Sequence, residues 1–135
     1  MPLRVGTDLV LATAVREALE AHGERYLQRV YTAAETADCT DAATGEVDAL
    51  RLAARFAAKE AAMKALRVGE AAVPWTAIEV RRSPDGHPEL VLHGPAADLA
   101  ARAGMTELAV SLTHEEPYAS AVVVAELHPT PIKNA

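Results

Sequence analysis

Apolar and polar positions along the chain follow two periods, about 2 and about 3.6 residues, and the places where one gives way to the other mark out the elements. Residues 3 to 10, LRVGTDLV, alternate weakly and are rich in Val and Leu, which predicts a short strand ending near Asp8. Thr13 is the candidate cap of a following helix in which Val15, Ala18, Leu19 and His22 recur at helical spacing, with Gly23 as the stop signal. Thr32, with Glu35 three residues later, has the form of a capping box opening a short helix. Residues 38 to 47, DCTDAATGEV, hold turn formers and no period, and a mobile loop is expected there. From about Val47 to Arg67 the residues Leu52, Phe56, Met63 and Leu66 trace one apolar stripe of a long helix.

After Pro74 the period shortens. TAIEV and PELVLH flank the turn-rich SPDG, which predicts a β-hairpin with a loop longer than two residues. Pro95 suits the first turn of a helix that ends before Gly104. ELAVSLTH and YASAVVVAEL, on either side of Glu115, Glu116 and Pro117, predict a second hairpin at the core, and the tail HPTPIKNA, residues 128–135, is expected to fray. No internal repeat, heptad array or low-complexity tract is present. The expectation is a single small α+β domain over residues 1–127, a mostly antiparallel sheet packed on one long helix.

Composition changes this picture in three ways. At 135 residues one domain is the simplest reading, and half of the residues are apolar, yet much of that half is Ala and only five residues are aromatic. A core that thin favours burial against a partner subunit. The formal charge of -6 argues against non-specific nucleic-acid binding, which needs clustered Lys and Arg. An acidic protein partner stays open, because the first half still holds Arg16, Arg25, Arg29, Arg51, Arg55 and Lys59. Cys39 is alone, which leaves no intramolecular disulfide and no cysteine cage and fits a reducing compartment. No basic segment precedes a long apolar run and no stretch is long enough to span a membrane, so the expectation is a soluble cytoplasmic protein.

Each candidate for chemistry has two readings. Glu60 follows Phe56 by four positions and precedes Met63 by three, so it projects from the edge of the buried stripe. It either pairs with Lys64 at i+4, a common helix-stabilising contact, or holds a cation with Asp8 and leaves Lys64 to face an anionic substrate. Asp8 satisfies backbone donors in a turn after the strand, or it is the second ligand of that cation, the small residue of GTD letting a large phosphorylated ligand approach. Two carboxylates with open coordination positions suit Mg²⁺, which keeps several waters and takes further ligands from phosphates. Arg51, Arg55 and Lys59 recur at i+4 steps as a cationic stripe, either a solvated surface or a phosphate-binding face, in which Arg55 is the better candidate. His114 closes an apolar strand, as a satisfied core or turn residue or as a group that donates a hydrogen bond or moves a proton near a phosphorylated substrate. No G-x-S-x-G elbow and no G-x-x-x-x-G-K-[ST] loop occurs.

Three segments, GTDLVLATA, RFAAKEAAMKALRVG and SLTHEEPYA, resemble the three motifs of the holo-acyl-carrier-protein synthases, small 4′-phosphopantetheinyl transferases, and the resemblance runs from about Leu3 to about Glu126. It implies a phosphopantetheinyl transferase-like domain over residues 1–127. It also implies Asp8 and Glu60 as Mg²⁺ ligands, Arg55, Lys64 and His114 as contacts to coenzyme A phosphates, and Glu60, Lys64 and His114 as the catalytic set. The implied reaction is attack by a serine of an acyl carrier protein, or of a carrier domain in fatty-acid or polyketide synthesis, on the β-phosphate of coenzyme A, releasing adenosine 3′,5′-bisphosphate. Members of the family are typically homotrimers with the active site between subunits.

The chain departs from the family at two places. Where the family has an acidic residue and then an Arg after its first motif, this chain has Leu11 and Ala14; in family members that Arg lies on the helix that docks the acidic carrier protein. The glycine-rich GTG after the second motif is RVG, with Arg67 and Val68. These changes keep two alternatives in view: a non-catalytic coenzyme A or carrier-protein binding module that retains the fold, and a different metal-dependent nucleotide hydrolase.

Overall fold

The computed structural model describes residues 2–128. Of the expected frayed tail, residues 129–135 lie outside the described residues. Strand β1 (Leu3–Leu11) leads through helices α1 (Ala12–His22), α2 (Glu24–Val30) and α3 (Ala33–Asp38) to the long helix α4 (Ala49–Leu66). The hairpin β2 (Ile78–Arg82) and β3 (Pro88–Leu92), helix α5 (Gly94–Ala103), and the hairpin β4 (Met105–Glu115) and β5 (Tyr118–Leu127) follow. β1, β5 and β4 form one antiparallel sheet in that order, and β2 and β3 form a second of two strands. The α+β expectation holds, with the long helix laid on the inner face of the three-stranded sheet. No helix among the described residues is long and apolar enough to cross a membrane.

Alanine decides how the layers meet. Ala53, Ala57, Ala58, Ala61, Ala62 and Ala65 of α4 and Ala119, Ala121 and Ala125 of β5 are all buried, so α4 is enclosed well beyond the stripe of Leu52, Phe56, Met63 and Leu66. Small side chains let the helix come very close to β1. A Cβ on Gly6 would lie 1.9 Å from the carbonyl oxygen of Ala61, so no other residue fits there without separating the layers. The outer face of the sheet has no such cover: Leu3 and Leu9 are each 64% exposed, and Val5, Leu11, Tyr118 and Val122 lie open beside them.

Several local expectations change. β1 runs on to Leu11, so Asp8 sits inside the strand opposite Ala121 and not at its end. Thr13 does not cap α1; the helix starts at Ala12 directly from the strand with Leu11 at the N-cap, and the Ala12 N–H donates to Pro117 O at 2.8 Å. The segment 38–47 is an organised turn, closed by a bridge between Thr40 and Val47 and by the Asp41 carboxylate, which accepts the Ala43 and Thr44 N–H groups. The capping box at Thr32 and Glu35 forms as read. At the end of α4, Arg67 takes the left-handed conformation at φ 55°, the position where the resemblance places a glycine.

Candidate active site

The predicted site residues separate into an acidic group on β1 and α4 and a basic group where α4 meets β2 and β4. In the acidic group, the close contact at Gly6 brings β1 against α4, so Asp8 and Glu60 face a shared space. Gly6 therefore serves packing against Ala61, and not the ligand approach expected from the sequence. Lys64 does not pair with Glu60. Its Nζ turns to β1, donating to Thr7 O at 2.9 Å and to Asp8 Oδ1 at 3.2 Å, which also replaces the turn-capping reading of Asp8. Glu60 is half-buried, and its pKa is raised by burial first and by the charge of Asp8 second, against an opposing pull from Lys64.

A half-buried carboxyl whose proton affinity is raised by burial and by the charge of Asp8 marks a place short of positive charge. Among the described residues no group of three or more His, Cys, Asp and Glu side chains forms a metal cage. Asp8 and Glu60 as a pair would leave most coordination positions of a cation open, a donor set that fits Mg²⁺.

The basic group surrounds a cavity of about 260 Å³ lined by Arg51, Arg55, Arg81, Arg82 and His114, with Gly86 and Pro88 of the hairpin at one side. Arg55 is 5% exposed; among the described residues its Nη1 donates only to Arg51 O at 3.5 Å, and its Nε has no partner. A buried guanidinium with an unsatisfied nitrogen and no carboxylate in an ion pair is destabilising by itself. An anion in the cavity would satisfy it. His114 stands exposed at the end of β4, on the same side of the strand as Leu112, while Ser111 and Thr113 face outward. A larger open cavity of about 660 Å³ between α2 and α3 is mostly apolar and holds none of the predicted site residues.

Lys59 leaves the proposed cationic stripe. Its side chain is fully buried, and its Nζ donates to Glu35 Oε1 at 2.7 Å, Trp75 O at 3.1 Å and Ile78 O at 2.6 Å. Burial pulls its pKa down, with Glu35 opposing. The cause is visible in the chain: Lys59 falls between Phe56 and Met63 at the three- and four-residue spacing of the Leu52, Phe56, Met63 and Leu66 stripe, so it lies on an inward-turned face of α4. Arg81 and Arg82 were missed; two consecutive basic residues entering a glycine-containing turn were the available signal. Arg16 on α1 is bound bidentately to Glu116, both distances 2.9 Å.

Residues 4–123 match the model of the 4′-phosphopantetheinyl transferase superfamily. The chain is 47% identical over 131 residues to a holo-[acyl-carrier-protein] synthase of Chloroflexus aurantiacus, covering 89% of this chain and 95% of that protein. A second such synthase, of Koribacter versatilis, is 42% identical, covering 93% and 99%. Among solved structures, the ACPS–CoA complex of Chronobacterium ammoniagenes superposes with a TM-score of 0.79 at 29% identity, covering 96% of this chain and 100% of the other. The Helicobacter pylori holo-[acyl-carrier-protein] synthase in complex with coenzyme A gives 0.77 at 27%, covering 90% and 99%. By sequence and by fold, the chain belongs to the 4′-phosphopantetheinyl transferase superfamily, within its holo-acyl-carrier-protein synthase family.

Proposed function

We propose that this protein transfers the 4′-phosphopantetheine group of coenzyme A to a serine of an acyl carrier protein in a Mg²⁺-dependent reaction that releases adenosine 3′,5′-bisphosphate. The observation that carries this reading is the buried Arg55, its Nε without a partner among the described residues, in a cavity lined by three further arginines and His114, close along α4 to the Asp8, Glu60 and Lys64 group. Arg55 precedes Glu60 by five residues, about 7.5 Å of helix rise, which suits a ligand with several separated phosphates. The names of the relatives and the coenzyme A in the two similar complexes support the same reading.

The roles follow from the chemistry of each group. Asp8 and Glu60 would hold the Mg²⁺, which when bound neutralises charge on the pyrophosphate. Lys64 has two of its three donors placed on Thr7 and Asp8 and a third left for an oxygen of the transferring phosphoryl. Arg55 and His114 bind the phosphates of coenzyme A and orient them. The serine Oγ attacks the β-phosphorus, the bond to the departing bisphosphate breaks, and Glu60 takes the serine proton.

The uncovered sheet face of Leu3, Val5, Leu9, Leu11, Tyr118 and Val122 supports assembly into a homotrimer, since a contiguous apolar face of this kind on a thin alanine core calls for a partner. We also assign the protein to the cytoplasm, in keeping with its lone buried thiol. The test is mass spectrometry of apo-carrier proteins incubated with this protein and coenzyme A, with and without Mg²⁺. A gain of one phosphopantetheine on the carrier, only with metal, is the expected result. Coenzyme A binding without modification of any carrier would replace this reading with a binding module, and product release in the absence of carrier would replace it with a hydrolase.

A further inference from the structure

The β2–β3 hairpin carries a buried carboxylate that has no part in the proposed transfer. Glu79 is 4% exposed, and its oxygens are engaged by three side chains. Thr32 Oγ1 donates to Oε2 at 2.6 Å, Arg81 Nε donates to Oε1 at 3.0 Å, and His93 Nε2 lies 3.0 Å from the same Oε1. Thr32 is the N-cap of α3 and His93 the N-cap of α5, so Glu79 is anchored to two helices before it reaches Arg81. Its pKa is held below the usual range: burial alone would raise it, but the hydrogen bonds from Thr32, His93 and Arg81 prevail.

Arg81 is different in kind. Its side chain is 53% exposed, and an exposed arginine ordinarily keeps its rotamer freedom. Here it is tied at one nitrogen only. With Nε on Glu79, the guanidinium still presents the edge formed by its two Nη atoms, the pair that matches two oxygens of a phosphate. Arg81 also lines the cavity with Arg51, Arg55, Arg82 and His114.

We propose that Glu79 is a positioning residue for coenzyme A binding: it grips Arg81 by Nε and so aims the Nη edge at a phosphate in the cavity between α4, β2 and β4. This inference rests on the coenzyme A reading given above. Glu79 itself touches no substrate. It acts by removing, before binding, the rotamer freedom Arg81 would otherwise lose on contact with the ligand.

The test is titration calorimetry of coenzyme A at fixed Mg²⁺ with the intact protein and five variants: Arg55→Ala, Arg81→Ala, Arg81→Lys, Glu79→Gln and the double variant Glu79→Gln with Arg81→Ala. Arg81→Ala is expected to weaken binding roughly ten- to hundredfold, the range for a hydrogen bond to a charged group. Glu79→Gln is expected to weaken it about three- to tenfold, with the KM for the carrier protein and kcat unchanged. The double variant should bind no worse than Arg81→Ala, because Glu79 works through Arg81 alone. Arg81→Lys should not restore affinity, since an ammonium has no second edge. Additive losses in the double variant would show that Glu79 acts on the fold and would overturn the proposal. So would unchanged affinity in Glu79→Gln and Arg81→Ala while Arg55→Ala weakens binding, which would leave the phosphate cavity standing. Unchanged affinity in all variants, Arg55→Ala included, would overturn the cavity reading itself. Should Glu79→Gln not fold, the exposed Arg81→Lys decides, and wild-type affinity there sinks the proposal.

Discussion

Lys59 and Lys64 lie five residues apart on α4, each with an acidic partner from another element, and they differ in almost everything else. The Lys59 and Glu35 side chains are both fully buried, all three donors of Lys59 are used, and Glu35 also accepts the Thr32 and Val80 N–H groups. Lys64 is 55% exposed and Asp8 20%, and their contact is longer at 3.2 Å. Beside it stands Glu60, whose pKa is raised by burial and by Asp8. The first pair is complete and can gain nothing from a ligand. The second has charge to spare, and a divalent cation or a phosphate would satisfy it. Within one helix, saturation of hydrogen bonds separates the residue that holds the fold from the residues proposed to meet the substrate.

The largest effect should come from breaking the complete pair. Glu35→Ala leaves Lys59 buried without its counter-charge and two backbone N–H groups without an acceptor, and is expected to cost about 3–5 kcal/mol. Urea unfolding measures this directly. Lys59→Met combined with Glu35→Gln should recover part of the loss, because it removes the stranded charge and keeps an acceptor. An unfolding midpoint equal to that of the unaltered protein in Glu35→Ala would mean that the pair does not hold α3, α4 and β2 together.

The incomplete pair should respond in the opposite sense. Glu60→Gln is expected to lower transfer at limiting Mg²⁺ on the order of a hundredfold or more, as a weakened metal site removes several kcal/mol of transition-state stabilisation. The fold should be unharmed. A carboxyl whose folded pKa is raised is disfavoured as a charge at neutral pH, so its replacement by the neutral amide leaves melting temperature equal or higher. Near-normal rates at limiting metal would remove Glu60 from the metal site, and loss of folding in place of activity would class it with Lys59.

That contrast also explains what could be read from the chain and what could not. The motifs named Asp8, Glu60, Lys64, Arg55 and His114, and the elements carrying them appear close to where the hydrophobic period put them. Local chemistry was legible as well, since the Thr32–Glu35 box needs only four consecutive residues. Long-range partners were not. The i+4 spacing of Arg51, Arg55 and Lys59 cannot tell solvent from core, and only the fold places Lys59 against Glu35, 24 positions away. The same holds for Lys64, which chose Asp8, 56 positions distant, over its helical neighbour Glu60. The role of Gly6 is likewise invisible in the chain, because the approach of Ala61 is a property of two packed layers.

A smaller effect is expected at the end of α4. Arg67 holds a left-handed conformation, at φ 55°, that costs a side-chain-bearing residue about 1–2 kcal/mol, partly offset by the chain entropy a glycine would lose. Arg67→Gly should therefore stabilise the protein by about 0.5–1 kcal/mol in thermal or urea unfolding. Destabilisation would show that the Arg67 side chain makes a contribution beyond its backbone.

The smallest effect concerns the exposed surface of α1. Ala14 is exposed where related synthases are expected to carry an arginine that docks an acidic carrier. Of the other arginines in this stretch, Arg16 is committed to Glu116 through two hydrogen bonds, which leaves Arg25 and Arg29. Ala14→Arg should lower the KM for an acidic carrier about two- to fivefold at low salt, the worth of one exposed charge contact, with kcat unchanged because the added binding is remote from the chemistry. Salt should erase the gain, as charges at the surface are screened over roughly 8 Å at physiological ionic strength. Adding Glu116→Gln would free Arg16 and should deepen the effect if α1 receives the carrier. A KM indifferent to both substitutions at every ionic strength would mean that the carrier docks on another face, and that the second half of the site must be sought where Arg25 and Arg29 do not reach.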